Sequence, residues 1–426
     1  MSPQSRFLTA LLAAALCSCA SPPANVPPQR APAPASTAAI PPGAPAPAVP
    51  APAQPEPATA TPIPSPTPSA PGLAAPVPPA PGPTPSAPAS PPIPVALLLP
   101  SEGSPFGRAA EAVRLGFFAA HSVANANLAI QLLEVDDNVA QLRTALESAQ
   151  KHGARIVVGP LTRTLVNALG DGRVIAPLPV LALNLPESDV SVTSESLAFG
   201  LGVEVEARQV VRVALRDLPP PPSTAASTAP RFLILAGESP LARRMATAFR
   251  DALRDQGERV TQIDVHVGYQ FLQTLVEQLA TMKVDAVFCA LDARETAFVR
   301  PRLPRELPLY ATSQVNLGGA ESALLAPDLD GVKFVDMPWL IEPEHAAVMV
   351  YPRSDVALSG ELQRLYALGI DSYRVMLEWL AGRREFDLDG VTGKLHVDRS
   401  RSARVERWPT LAVFRSGKIE LLEQTQ

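Results

Sequence analysis

Proline is distributed unevenly along this chain, and that distribution decides where a fold can form. Of the 50 prolines, 30 fall within the first 94 residues. Residues 21–94 contain no Phe, Trp or Tyr and only two charged side chains. Such a segment cannot bury enough apolar surface to offset the entropy cost of ordering it. The sequence therefore predicts a disordered Pro/Ala-rich tether over residues 19–94 and a folded domain over residues 95–426.

The N-terminus carries an export signal. Residues 7–16 form an apolar run after Arg6, too short to cross a bilayer but typical of the hydrophobic region of a secretory signal. The following Leu16-Cys17-Ser18-Cys19 resembles the lipobox of bacterial lipoproteins. We therefore predict a lipoprotein signal peptide over residues 1–18 and lipidation of Cys19. An ordinary signal peptide cleaved near Ala20 is the alternative.

The lipobox resemblance also implies which membrane of the cell envelope holds the protein. In lipoproteins of this type, a residue other than Asp after the cysteine implies the outer membrane, and here that residue is Ala20. An extended tether of 74 residues would reach at most about 230 Å at about 3.1 Å per residue. The folded domain would then work on a distant partner, or the tether would be a passive spacer.

Charge excludes two classes of partner. Residues 95–426 contain 34 Lys and Arg against 40 Asp and Glu. Binding to nucleic acid or to an anionic membrane surface needs clustered cations, which this balance does not favour. We therefore expect no nucleic-acid partner, and membrane contact only through the N-terminal lipid.

The mature chain would hold one unmodified cysteine. With Cys17 removed and Cys19 acylated, only Cys289 remains, inside the apolar run AVFCAL. A single thiol forms no internal disulfide, and no Lys, Arg or His stands beside it in sequence to stabilise a thiolate. We interpret Cys289 as a small buried residue of a strand.

Short apolar runs alternate with helical patterns throughout the folded part. Continuous apolar strands separated by helices predict a parallel sheet covered on both faces, which is an α/β fold. The first set of strands is predicted at residues 95–99, 129–135, 156–158 and 180–183. After a helix at about 204–217, a second set follows at 232–235, 260–267, 286–290 and 309–312.

The two sets of predicted strands begin with similar segments. Each begins with a strand, a turn containing Glu, and Ser-Pro at a helix start, with Ser104 and Ser239 as predicted caps. We interpret this as two doubly wound lobes with a cleft between them, although strand–turn–helix grammar is common to all α/β proteins.

Ligands of open parallel sheets bind beyond the carboxyl ends of the strands. The side chains predicted to line the cleft are therefore the polar residues of the loops that follow the strands: Ser101, Ser104, Thr162, Asn184, Ser239, Thr312 and Ser313. Glu102 and Glu238 stand near the helix starts, which disfavours an anionic ligand there.

Catalytic and cofactor motifs are weak. Gly237-Glu238-Ser239 follows a strand as a hydrolase nucleophile does, but Leu241 replaces the second Gly of that motif. Five scattered histidines lack metal-ligand spacing; a group of Glu342, Glu344 and His345 could hold a cation but is more typical of a solvated loop. We predict no catalytic residues, no metal and no cofactor.

Several segments together resemble a known family. In order, LLLPSEGSPFGRAAEAVRLGFFAA, VVGPLTRTLVNAL, VLALNLPES, LYATSQVN, LDGVKFVDMPW, LYALGIDSYRVM and GVTGKL resemble the C-terminal domain of penicillin-binding protein activators of the LppC and LpoA type. The GPL loop and GVTGKL also resemble branched-chain amino-acid receptors of the type I periplasmic-binding-protein fold. The resemblance implies a lipoprotein that docks on a bifunctional peptidoglycan synthase and stimulates it.

The resemblance also implies how the chain moves between lobes. Lobe 1 would comprise residues 95–203 and 315–407, and lobe 2 residues 204–314 and 408–426. The strand at residues 332–336 and two helices, separated at Gly369 and the second capped by Asp371, would return to lobe 1. Residues 410–414 and 418–422 flank Ser416-Gly417, which predicts a hairpin.

Two functional hypotheses follow. One is an activator of a class A penicillin-binding protein at the periplasmic face of the outer membrane. The other is a lipid-anchored solute receptor of an amino-acid-type ABC transporter, and whether the cleft takes a small ligand stays open.

Candidate partner-contact residues are Trp339 and Tyr351, on the 338–355 segment, because aromatic residues on loops are common hot spots; a core position for Trp339 is the alternative. The 218–230 loop is a further candidate surface.

Overall fold

A computed structural model of the chain describes residues 91–187, 196–219, 231–266 and 268–423. The predicted signal peptide, Cys19, almost all of the predicted tether and residues 220–230 of the candidate loop lie outside the described residues. The first strand begins at Ile93. Within the described residues, no helix has both the length and the apolar character needed to cross a bilayer.

Strands and helices alternate along most of the described chain. The strands are β1 Ile93–Leu99, β2 Leu128–Glu134, β3 Val157–Val158, β4 Val180–Ala182, β5 Ser196–Ala198, β6 Phe232–Ala236, β7 Val260–Asp264, β8 Ala286–Ala290, β9 Leu309–Ala311, β10 Val332–Asp336, β11 Glu385–Asp389, β12 Lys394–Asp398, β13 Glu406–Trp408, β14 Thr410–Arg415 and β15 Lys418–Leu421. The α-helices are α1 Gly107–Ala124, α2 Val139–Lys151, α3 Arg163–Gly170, α4 Val203–Asp217, α5 Pro240–Asp255, α6 Tyr269–Thr281, α7 Ala293–Val299, α8 Gly319–Leu325, α9 Pro338–Ile341, α10 Ala346–Met349 and α11 Gly360–Leu380.

Lobe 1 is built on a five-stranded sheet of order β2-β1-β3-β4-β5, in which every pairing is parallel. Its strand β1, between β2 and β3, is apolar on both faces. Val95, Leu97 and Leu99 pack into a core with α1 and α11, whereas Ala96 and Leu98 pack against α2 and α3. A strand covered on both sides explains why this run is continuously apolar instead of alternating.

Lobe 2 is built on a seven-stranded sheet of order β15-β14-β10-β9-β8-β6-β7. Strands β6 to β10 are parallel, and β14 and β15 are antiparallel additions at one edge. The predicted hairpin is confirmed. Ser416 and Gly417 have φ angles of 50° and 76°, as a two-residue hairpin turn with positive φ at both central positions requires.

A small antiparallel sheet, β11-β12-β13, was not predicted. Phe386, Leu395 and Val397 pack it into the same core as α1 and α11, so it belongs to lobe 1. Along β11 the buried Phe386 stands between the exposed Glu385 and Asp387, as expected for a sheet with one face in solvent.

The second passage between lobes differs from the expectation. Strand β10 pairs with β9 and β14, so it belongs to lobe 2 and not to lobe 1. The chain enters the lobe 1 core only after Asp336, where Met337 and Trp339 join it. Leu201–Val203 and Trp408–Thr410 form the other two passages. The expected boundary at 314–315 was wrong because the segment up to Asp336 still extends the lobe 2 sheet.

The prediction that Gly369 separates two helices was also wrong. Helix α11 runs without a break from Gly360 to Leu380, and Asp371 lies inside it, fully buried. A methyl group at Gly369 would overlap the carbonyl oxygen of Val113 on α1, and one at Gly116 of α1 would overlap the carbonyl oxygen of Tyr366. The glycines therefore allow two helix backbones to approach closely, which a side chain would prevent.

The two units that open the lobes start their helices differently. Ser239 caps α5, its hydroxyl accepting from the amide of Ala242 at 3.0 Å, with Pro240 at the first helical position. In contrast, α1 begins at Gly107 without a side-chain cap, so the predicted capping role of Ser104 was wrong. The hydroxyl of Ser104 instead donates to the carbonyl of Ser101 at 2.9 Å.

Candidate functional site

The predicted cleft side chains of lobe 1 hold their own loops in place. The Ser101 hydroxyl donates to Asp136 at 2.7 Å, and the Thr162 hydroxyl donates to Asp137 at 2.6 Å. The side-chain amide of Asn184 donates to the carbonyl of Leu161 at 3.0 Å. These contacts join the loops after β1, β2, β3 and β4, so their polar groups are engaged within the protein.

The predicted cleft residues of lobe 2 also make hydrogen bonds within the protein, through side chains at Ser239 and Thr312 and through the backbone at Ser313. Ser239 caps α5, as described above. Thr312 is fully buried, and its hydroxyl lies 3.2 Å from the sulfur of Met245. Ser313 is also buried; its amide donates to Glu206 at 3.1 Å, and its carbonyl accepts from Arg364 at 2.9 Å. Ser313 therefore lies where lobe 2 contacts α11 of lobe 1.

A buried ion pair closes the second passage between the lobes. Arg364 of α11, in lobe 1, contacts both carboxylate oxygens of Asp336 at the end of β10, at 3.1 and 2.7 Å. Arg364 also donates to the carbonyls of Ser313 and Asn316. Burial alone lowers the pKa of Arg364, but the charge of Asp336 outweighs it and the pKa is raised. The guanidinium therefore stays charged and bound to both lobes.

Two further donors complete the surroundings of the Asp336 carboxylate. The side-chain amide of Asn316 donates to Asp336 at 2.8 Å, and the amide of Met337 donates to the other carboxylate oxygen at 2.8 Å. The carbonyl oxygen of the Asn316 side chain accepts from Ser322 at 2.7 Å. A buried charge is tolerated when its hydrogen-bonding capacity is filled in this way.

A second buried ion pair closes the third passage. Arg407 of β13 donates to Glu206 of α4 at 2.8 Å and to the carbonyl of Thr392 at 3.1 Å. Both charged side chains are at least nine-tenths buried. Gln209, one turn further along α4, donates to the carbonyl of Pro409 at 2.8 Å. Helix α4 is thereby fixed to the strand that leaves lobe 1.

An exposed rim joins the lobes near the first passage. Glu204, at the start of α4, contacts Arg244 of α5 at 2.6 Å and Arg163 of α3, in lobe 1, at 3.7 Å. Partial burial raises the pKa of Glu204, but the Arg244 hydrogen bond and the two arginine charges outweigh it and the pKa is lowered. Together with the two buried pairs, this rim forms what we call the charged junction: Glu204, Glu206, Asp336, Arg364 and Arg407.

Asp371 ties a loop of lobe 1 to α11. Its carboxylate accepts from the amides of Val391 and Thr392, at 3.2 and 2.8 Å, and from the hydroxyl of Thr392 at 2.7 Å. A side chain at Gly390 would collide with this carboxylate. Two segments of the resemblance, LGIDSY and GVTGKL, thus meet, and Thr392 in turn accepts from Arg407 of the charged junction.

Sequence reasoning missed these charged residues. The available signal was a charged residue directly inside or beside an apolar run, as with Asp336 in KFVDMPW and Asp371 in ALGIDSY. Such residues are almost never fully buried unless paired. The partners Arg364, Arg407 and Glu206 lie far away in sequence, so periodicity could not connect them.

The structure overturns the expectation that Trp339 is exposed. It is 1% exposed, stacks with Tyr366 at 5.3 Å between ring centroids, and is covered by the Arg353 guanidinium at 3.9 Å. Tyr351 is half-buried against the lobe 1 core, and burial raises its pKa. The accessible apolar side chains of the same segment are Met349 and Val350, which are 65% and 53% exposed.

Reactive side chains are few among the described residues. Cys289 is fully buried in β8, and burial raises the pKa of its thiol to about 12. His345 accepts from the amide of Ala347 as the cap of α10, and no metal-type cluster occurs in the described ranges. Ser148-Ala149-Gln150-Lys151 fits an S-x-x-K pattern, but it lies on the last turn of α2, where His152 contacts the Ser148 carbonyl.

The molecule has grooves on its surface besides the predicted cleft loops. A groove of about 610 Å³ lies in lobe 1, between α1, the edge strand β2 and residues 356–358. A second, of about 320 Å³, lies at the lobe junction between α4 and β13. None of the seven predicted cleft side chains lines either groove.

Two wound α/β lobes joined by three passages define the type I periplasmic-binding-protein class, and the solved structures agree. The C-domain of LpoA from Haemophilus influenzae, described as a regulator of PBP1A, superposes with a TM-score of 0.61 at 20% identity, covering 78% of this chain and 100% of that one. A structure from Chromobacterium violaceum, described as a putative branched-chain amino acid ABC transporter, has a TM-score of 0.61 at 33% identity, covering 75% and 99%.

The family follows from the sequence. The family model "LppC putative lipoprotein" matches residues 89–226 and 236–417, so the chain belongs to the LppC family of cell-envelope lipoproteins. The penicillin-binding protein activator LpoA of Vibrio cholerae is 26% identical over 352 residues, and that of Photobacterium profundum is 28% identical over 365. These alignments cover 72% and 76% of this chain; it spans about half of those relatives, 55% and 56%.

Proposed function

We propose that this protein is a non-catalytic lipoprotein that binds a class A penicillin-binding protein and activates its synthesis of peptidoglycan. Acylated Cys19 would hold it at the periplasmic face of the outer membrane. The relatives named as penicillin-binding protein activators and the family model support this function. The Pro/Ala-rich composition of residues 19–94 supports a tether long enough to reach a distant enzyme.

The charged junction is the structural observation that carries the proposal. A solute receptor needs polar groups that converge on a ligand in the cleft, together with lobes that close around it. Here the predicted cleft residues make hydrogen bonds within the protein, and two buried ion pairs connect the lobes. Such a molecule is suited to present a fixed surface to a partner.

The activation would then be allosteric, and the molecule that changes conformation would be the synthase. A bound protein shifts a conformational equilibrium only by its difference in affinity for the two states. The activator would therefore bind the active conformation of the synthase more tightly than the inactive one. No residue of this chain would touch the reacting groups.

We place the docking surface on the segment 338–355. Met349 and Val350 present exposed apolar side chains next to the half-buried Tyr351, the residue retained from the sequence prediction. Exposed apolar side chains next to each other favour a protein contact. The double variant Met349→Ser/Val350→Ser should weaken binding to the synthase.

The test is a pull-down and a cross-linking assay with the purified full chain and each class A enzyme of the organism. We expect binding and faster peptide cross-linking with at least one enzyme. The matched control is Ile175→Ser/Leu324→Ser, which changes two apolar side chains that are 87% and 78% exposed elsewhere. Absence of binding and stimulation with every enzyme would remove the proposal; equal loss in both double variants would remove the docking surface only.

A solute receptor is the second candidate, favoured by the 33% identity to the Chromobacterium violaceum structure. Thermal unfolding in the presence of single amino acids separates the two. A receptor gains stability in proportion to the logarithm of ligand concentration above Kd. An activator without a cleft ligand keeps the same melting temperature.

A further inference from the structure

The groove at the lobe junction, which we call the junction groove, is built by both lobes. Leu185 and Gly200 come from lobe 1, and Val205, Arg208 and Arg212 come from α4 of lobe 2. The remaining wall is the segment from Ser402 to Trp408, which leads to the third passage. A ligand in this groove would touch both lobes and two of the three passages between them.

The walls of the junction groove are strongly cationic. Arg208, Arg212, Arg404 and Arg407 line it, and Glu406 is the one acidic residue among its lining residues. Arg407 is neutralised by Glu206 and Arg404 donates to the carbonyl of Pro186, which leaves Arg208 and Arg212 against one glutamate, Glu406. The chain as a whole has a net charge of −5, so this local excess is not a consequence of composition.

Two of these arginines have no ion partner in the part of the chain that the structure describes. Arg208 and Arg212 are exposed and one helical turn apart on α4, so their side chains lie on the same face. Like charges at this spacing destabilise a helix slightly when nothing binds them. An arginine presents a planar fork of donors, which fits the paired oxygens of a carboxylate or a phosphate.

Two side chains that line the groove also carry buried polar atoms that the described residues leave without partners. These are Oε1 of Gln209 and Nε of Arg407, in side chains that are 7% and 4% exposed. Their other polar atoms are bonded to Pro409, Thr392 and Glu206. Buried polar atoms without a partner are rare in folded proteins. Nε of Arg407 is a donor from which an anionic oxygen can accept, whereas Oε1 of Gln209 is an acceptor and needs a donor such as a hydroxyl group.

We propose that the junction groove binds a small oxyanion ligand, carrying a carboxylate or a phosphate, between α4 and β13. Its volume of about 320 Å³ falls within the range of small-molecule sites. Trp408, 37% exposed at the edge, offers an apolar face to the rest of the ligand. Because the walls come from both lobes, binding would depend on their relative position. This site is separate from the synthase-docking segment.

Calorimetric titration of the full chain with citrate and with inorganic pyrophosphate tests the proposal. We expect saturable binding of at least one probe, weakened about tenfold or more in Arg208→Gln/Arg212→Gln because charge-assisted hydrogen bonds are lost. The matched control is Arg302→Gln/Arg305→Gln, which removes two exposed arginines outside the groove. It should bind as the unmodified protein does. Arg208→Lys/Arg212→Lys, which keeps the charge but loses the fork, should fall between the two.

The outcomes distinguish the ligand classes. Binding of citrate alone indicates a carboxylate ligand, binding of pyrophosphate alone indicates a phosphate ligand, and binding of both indicates recognition of the shared oxyanion geometry. Each supports the site if the loss is confined to the Arg208 and Arg212 variants. Binding of neither probe, or the same loss in the Arg302 and Arg305 control, would overturn it.

Discussion

We call the contact between helices α1 and α11 the seam. The seam and the charged junction stabilise the same molecule by opposite kinds of interaction. At the seam, Gly116 and Gly369 let two helix backbones touch, and the surroundings are apolar. At the junction, Asp336, Arg364 and Arg407 are buried ions with nearly all of their hydrogen bonds filled. The seam shapes lobe 1 alone, whereas the junction fixes lobe 1 against lobe 2.

The difference has a physical reason. Apolar packing is non-directional and depends on the area buried more than on the alignment of particular atoms, so it suits the inside of a lobe. Buried ion pairs depend on geometry, because a displaced partner leaves an uncompensated charge. A junction of this kind therefore favours one relative position of the lobes, at some cost in stability compared with apolar residues.

Breaking the junction should have the largest effect. Arg364→Met leaves the fully buried Asp336 without its charged partner, and the free energy of unfolding should fall by about 3–5 kcal/mol. Urea denaturation measures it. The control is Arg114→Met, which removes an exposed i,i+3 pair with Glu111 and should cost about 1 kcal/mol or less. Equal losses in the two variants would show that the junction pair carries no special weight.

Breaking the seam should come next. Gly369→Ala forces a methyl group against the carbonyl oxygen of Val113, so the helices must separate, at a cost of roughly 1–3 kcal/mol. Gly103→Ala is the control, since a methyl group there meets nothing within 4 Å. The same denaturation experiment compares them, and an unchanged Gly369→Ala protein would contradict the close helix approach.

The exposed rim should contribute least. Because the pKa of Glu204 is lowered in the folded state, this residue stabilises the fold above its ordinary pKa of 4.5, and the contribution is lost as pH falls through the folded-state value. Glu204→Gln should therefore cost about 1 kcal/mol or less at pH 7 and less at pH 3 than at pH 7. Denaturation at the two pH values measures this. Glu111→Gln is the control, and a larger loss at pH 3 than at pH 7 would refute the sign.

Sequence patterns could predict the structural features that depend on residues close together in the sequence. The apolar runs of β1 and β6, the cap at Ser239 and the turn at Ser416-Gly417 are local, and the structure confirms them. The assignment of β10 and the break at Gly369 failed for a common reason. In the sequence, a glycine that ends a helix cannot be distinguished from one that packs against a distant helix. An apolar strand likewise carries no signal of which lobe it joins.

The site was less accessible to sequence reasoning than the fold. The loops that follow the strands could be identified, but not that their Ser, Thr and Asn side chains would bond to Asp136, Asp137 and Leu161. Trp339 illustrates the limit, since an aromatic residue after a strand suits a docking loop and a core equally well. Only the position of Arg353 and Tyr366 around it decides between them.

The most direct test is the distance between the lobes in solution. Spin labels at Gln150→Cys in α2 and Glu277→Cys in α6, in a Cys17→Ser/Cys19→Ser background, report it, and the buried Cys289 should stay unlabelled. We expect one narrow distance distribution that amino acids leave unchanged and that Arg364→Met broadens. A distribution with two separate populations, or a shift to shorter distances when an amino acid is added, would contradict lobes fixed by the charged junction.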